Sequence, residues 1–169
     1  MLATLTSDTD VASTRPLPQR PSQRLPEIPA QTTTDRDRKA IPARSMPNRS
    51  PLELLILARQ GLAEAAEEPH DGPRYATAHL AALRAAAAVL AIRARPVAGH
   101  RSQVTNVWSL LIQVAPELRE WAEFFAATAR KRTMAQAGVA SVVTAREADD
   151  LLRDADHFVS VVTDLIGLR

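Results

Sequence analysis

TAREADDLLRDADHFVSVVTDLIG, residues 144–167, is the clearest helix in the chain. Ala148, Leu151, Ala155, Phe158, Val162 and Leu165 recur every three or four residues, and Leu152, Val159 and Ile166 widen the stripe. That period belongs to a helix with one buried face. Thr144 and Glu147 fit a capping box, in which hydroxyl and carboxylate each accept the other residue's backbone N–H. Glu147, Asp149 and Asp150 fall in the first turns, where the helix dipole favours anions. So one-sided a helix needs other elements to cover it.

Three neighbours are legible upstream. Ser50-Pro51-Leu52-Glu53 is a second capping box with Pro at the first helical position. Leu55, Ala58, Leu62 and Ala66 follow at helical spacing, and Gly61 leaves room for close helix approach. Pro69-His70-Asp71-Gly72-Pro73 ends that helix, and so short a link predicts an antiparallel neighbour. The next helix runs from about Arg74 to Arg95, with Ala76, Leu80, Leu83, Ala87 and Leu90 as its stripe, before a loop over 96–104. Thr105 or Asn106 caps a third helix, which Pro116 kinks at Ala115. Its second part places Leu118, Trp121, Ala122, Phe125 and Ala129 on one face, carries Arg130-Lys131-Arg132 near its end and stops at Gly138. The expected fold is all-α, an antiparallel bundle of four to five helices over residues 50–169.

Residues 1–49 read differently. Seven of the twelve prolines lie in the first 50 residues, among many Ser, Thr, Gln and Arg and with no apolar period. Such a composition cannot bury enough surface to offset ordering entropy, which predicts a disordered arm. Met46, just before the first helix, offers an alternative start. The first 50 residues hold eight Lys/Arg against five Asp/Glu, and the rest thirteen against fourteen. The helical part, at −1, is therefore not a basic nucleic-acid footprint. The absence of Cys excludes disulfides and thiolate metal sites and suits the cytoplasm. No apolar stretch reaches the roughly 18–20 residues of a membrane span, and no secretory signal opens the chain.

Two Arg/His pairs are the candidates for chemistry. Arg74 and His79 open the second helix. An Arg beside a His could cleave RNA without metal, the guanidinium stabilising phosphate charge and the imidazole moving the 2′-hydroxyl proton. Five residues span about 140° of helix, so the two share a face only if Arg74 belongs to the preceding turn. The alternative is a helix-start Arg and a boundary His bonded to a neighbour. Arg153 and His157 stand one turn apart on the last helix, where Asp149 and Asp150 also offer Arg153 ordinary ion pairing. The acidic run Glu147, Asp149, Asp150, Asp154 and Asp156 reads as a solvated face, since no His or Cys spacing makes it a metal site. Trp108, Trp121, Phe124 and Phe125 could stack bases, but their helical spacing marks them as core. No glycine-rich phosphate loop or nucleophile elbow is present.

RYATAHLAALRAAAAVL (74–90), VAPELREWAEFFAA (114–127) and TAREADDLLRDA (144–155) together resemble a family of actinobacterial HEPN domains related to a Streptomyces protein. The resemblance covers roughly residues 51–167. It implies a helical bundle that often dimerises. Many HEPN proteins are metal-independent endoribonucleases of toxin, defence or RNA-processing systems, and others are RNA-binding or scaffold modules. The active branch places four to six residues between an Arg and the His that follows it, near a late helix. Arg74 and His79 keep that count, but Tyr75 follows the Arg and the pair lies on the second helix; Arg153 and His157 lie on the late helix with three residues between them. The first expectation is a HEPN-type module, homodimeric in the family's manner, binding RNA, a nucleotide or a protein partner. The alternatives are a metal-independent ribonuclease and a purely structural interaction domain. No cofactor and no metal is expected.

Overall fold

Ser50 opens the first helix as its capping box requires: Oγ accepts the Glu53 N–H at 3.2 Å, and the Glu53 carboxylate accepts the Ser50 N–H at 2.8 Å. Thr144 and Glu147 repeat the arrangement before the last helix, at 3.3 and 2.9 Å. Asn106 caps the middle one, accepting the Ser109 N–H at 2.8 Å. Between these starts, a computed structural model describes Arg20, residues 38–98 and residues 106–167. The elements are β1 (Lys39–Pro42), α1 (Pro51–Glu67), α2 (Asp71–Arg93), β2 (Ala94–Val97), α3 (Val107–Val114), α4 (Arg119–Gln136) and α5 (Ala145–Leu165). Short 3-10 turns occupy Ala43–Ser45 and Pro116–Leu118. Among the described residues the fold is an all-α bundle of five helices with one small strand pair.

α2 is the centre. It packs against α1, α3, α4 and α5, and the reason is its side chains. Ala78, Ala81, Ala82, Ala85, Ala86 and Ala88 are all fully buried, because a methyl group lets neighbouring backbones approach where a longer side chain would hold them apart. The expected stripe is corrected here. Of its members only Leu90 is fully buried, while Ala76, Leu80, Leu83 and Ala87 are half-buried. A helix covered from several sides has no single apolar stripe, so the period misreads its orientation. Gly61 confirms close approach on the α1 side: a Cβ there would lie 3.5 Å from the Ala81 Cβ and 3.1 Å from Arg84 Nη1. Arg84 uses that gap to donate to the Leu57 carbonyl at 2.9 Å.

α2 also corrects the expectation that no stretch is long and apolar enough to span a membrane. Among the described residues it alone passes by length and composition. Alanine supplies the apolar character, and over half of that stretch is buried inside the bundle.

The strand pair was not expected. β1 runs parallel to β2, with Ile41 opposite Pro96. Ile41 is 1% exposed and forms a second core with Leu90, Ala94 and Leu110. β1 thus lies inside the span read as arm, and α2 ends at Arg93 so that Ala94–Val97 can pair. The rest of the arm reading, over residues 1–19 and 21–37, lies outside the described residues, as does most of the 96–104 loop.

Candidate functional site: the two Arg/His pairs

Arg74 sits in the first turn of α2, at the turn from α1. Its Nε donates to the Glu68 carbonyl at 3.0 Å, and Nη2 to the Pro69 carbonyl at 3.4 Å and the Asp71 carboxylate at 3.3 Å. Nη1 donates to Asp149 at the start of α5. The guanidinium, 18% exposed, is a clamp that fastens the α1–α2 turn to α5. A phosphate would have to displace two carboxylates to reach it.

His79 lies elsewhere. Its side chain is fully buried, with its ring edge-on to Trp108 and Phe125 at 5.7 and 5.5 Å. Nε2 lies 3.0 Å from the Phe125 carbonyl. A carbonyl only accepts, so Nε2 carries the proton and Nδ1 is the bare nitrogen. Nδ1 is buried without a hydrogen-bond partner. Burial pushes the imidazole pKa down to about 4, and the charge of Arg132 on α4 lowers it as well. The imidazole is neutral near pH 7 and out of reach of a 2′-hydroxyl. The structure does not bring Arg74 and His79 together on one surface.

What surrounds His79 is a polar seam between α2 and α4. Thr128 Oγ1 donates to the Phe125 carbonyl at 3.0 Å and to that of Phe124 at 3.2 Å, and its hydroxyl acts on the buried Tyr75 phenol. Burial pushes that phenol up to about 12. Sequence reasoning missed Tyr75, Thr128 and Arg132 here. The 75–79 spacing did place Tyr75 and His79 one turn apart on α2, but nothing local indicates that α4 carbonyls receive them.

Arg153 and His157 do share a surface. Arg153 Nη1 donates to Asp150 at 3.0 Å, and its side chain is 65% exposed. His157 is half-buried, its ring meeting Trp121 edge-on at 5.4 Å. Asp150 and Asp154 lie on the same stripe of α5. Trp108, Trp121, Phe124 and Phe125 are core residues, each at most 7% exposed. Among the described residues no three His, Asp or Glu group to hold a metal.

No curated protein and no solved structure matches the chain. A family model does, over residues 64–163, which spans α2, α3, α4 and most of α5. Those are the helices that the three resembling segments occupy and that enclose the His79 seam. The chain belongs to the SAV_6107-like HEPN family.

Proposed function

We propose that this chain is a HEPN-type interaction module that works as a homodimer through protein contacts, and that it does not cleave RNA through Arg74 and His79. The observation that carries the reading is the full burial of His79, whose one bonded nitrogen faces a backbone carbonyl. A general base must reach the proton it moves, and this one contacts only core. Two further features support the reading. The near-balanced charge of residues 51–169 offers little to a polyanion. Leu52 and Ile56, one turn apart on the outer face of α1, are 55% and 48% exposed, an apolar pair that a second copy would cover. A cytoplasmic setting belongs to the same reading and rests on the absence of cysteine.

A second reading, a metal-independent ribonuclease, is favoured by one observation: Arg153 and His157 stand one turn apart at the surface. One experiment separates the two. The full chain, its His79→Phe variant and its His157→Ala variant are incubated with a mixed RNA pool in EDTA, and their masses are measured by sedimentation. The proposal expects a dimer, no cleavage and weak, salt-sensitive RNA retention. Chelator-resistant cleavage that disappears only in His157→Ala would establish the second reading.

A further inference from the structure

β1, the turn that follows it and β2 gather positive charge where α2 ends. Residues 38–49 hold Arg38, Lys39, Arg44 and Arg49 and not one Asp or Glu. Arg95 on β2 adds a further cation. The ladder sets Lys39 opposite Ala94 and Ala40 opposite Arg95, so Lys39 and Arg95 are neighbours across the pair. The 3-10 turn Ala43–Ser45 packs against β2 and brings Arg44 to the same place. Lys39, Arg44 and Arg95 are all exposed. Among the described residues Lys39 and Arg95 enter no ion pair.

These cations stand on a fixed support. Ile41, packed with Leu90, Ala94 and Leu110, pins β1 to the bundle. A basic segment held by a core loses less conformational freedom on meeting a ligand than one on a free chain. β1 and its turn precede the 64–163 span that the family model matches, so this surface is an addition to the HEPN bundle. The exposed large hydrophobics are Leu52, Ile56 and Val139. None lies on the strand pair or its turn, so no large apolar side chain there is placed to enter a lipid layer.

We propose that Lys39, Arg44 and Arg95 form a docking strip for the phosphodiester backbone of single-stranded nucleic acid, bound through charge with no reading of base or sugar. Two of the three cations are Arg, whose planar fork matches phosphate oxygens. Three phosphate contacts at about −0.7 each give a slope of log affinity against log salt near −2. The strip is separate from the α1 face proposed for dimerisation and stands whether or not the chain pairs. It gives the weak, salt-sensitive retention of RNA a place outside the charge-balanced bundle.

The test is the fluorescence anisotropy of a labelled oligothymidylate of about 12 nucleotides, titrated with the full chain at several salt concentrations. Affinity should fall roughly 20-fold between about 50 and about 200 mM salt. An oligouridylate of the same length should bind equally well. Lys39→Gln with Arg95→Gln should flatten the slope to about −0.7 while keeping the urea midpoint of the parent. Arg130→Gln with Arg146→Gln removes the same charge from exposed positions of α4 and α5, and should leave the slope near about −2. The strip is overturned by absent binding at about 50 mM salt, by equal loss in the two double variants, or by equal binding of polyglutamate. Capture on phosphatidylserine vesicles with no binding of either oligonucleotide overturns it as well.

Discussion

Replacing His79 by Ala removes a ring that the core closes around on all sides. Large-to-small changes at fully buried positions cost about 2–5 kcal/mol, and His79 is fully buried between Trp108 and Phe125. The lost bond to the Phe125 carbonyl adds only about 0.5–1.5 kcal/mol, because Thr128 still donates to that oxygen at 3.0 Å. Relief of the unpartnered Nδ1 offsets part of the loss. The sum is about 3 kcal/mol, a fall in Tm of roughly 8–15 °C for a domain of this size. His79→Phe keeps the volume, loses one bond and removes the bare nitrogen, so it should melt within about 1 kcal/mol of the parent. The pH dependence sharpens the test. The folded pKa, near 4, lies below the ordinary 6.5, so between those values the unfolded chain binds a proton that the folded chain refuses. Stability from this group is full above about pH 6.5 and is lost as pH falls toward 4, on the order of 3 kcal/mol. Urea unfolding of the parent and His79→Phe across pH 4–7.5 should diverge by that amount, the parent losing more. A His79→Ala variant melting within about 2 °C of the parent at pH 7 would refute the reasoning, because a boundary histidine could be truncated without such loss.

Tyr75 gives the alkaline counterpart: its folded pKa is raised to about 12 from 10, so the stability it contributes is lost as pH rises through that window. Tyr75→Phe should flatten the alkaline unfolding curve while changing stability at pH 7 by less than about 1 kcal/mol, since it keeps the buried ring. Gly61→Leu would push a side chain toward Ala81 and Arg84, and should cost about 1–3 kcal/mol by overpacking, read from urea midpoints. Removing residues 1–45 deletes Ile41 and uncovers Leu90 and Leu110, so a chain starting at Met46 should be about 2–4 kcal/mol less stable by the same measurement. Ile56→Glu with Leu52→Glu should leave the fold intact by circular dichroism and halve the sedimenting mass.

The helices were legible because their signals are local. Ser50 with Glu53 and Thr144 with Glu147 cap within one turn, and the α5 stripe is read from one period; Ala148, Leu151, Ala155 and Phe158 are all buried as expected. α2 resisted the same reading because four neighbours cover it, and alanine is equally at home on every face. β1 was invisible for a different reason. Its pairing partner is 55 residues away, in register Lys39 with Ala94, and four residues carry no period. The site divides in the same way. Arg153 and His157 are one turn apart in any helix, so their shared surface follows from the sequence. The fates of Arg74 and His79 depend on Asp149 of α5 and the Phe125 carbonyl of α4, contacts that no spacing encodes. Arg20 on Asp150 and Asp154 is the extreme case, ion pairs across most of the chain.

Whether His79 belongs to the core or to chemistry can be read from its own ring nitrogens. Nitrogen-15 NMR of the imidazole across pH 5–8 should show one neutral tautomer, protonated at Nε2 and unresponsive to pH, with titration beginning only toward pH 4. A ring that titrates near its ordinary value of about 6.5 and exchanges its proton freely with water would contradict the buried, structural role on which the proposed function rests.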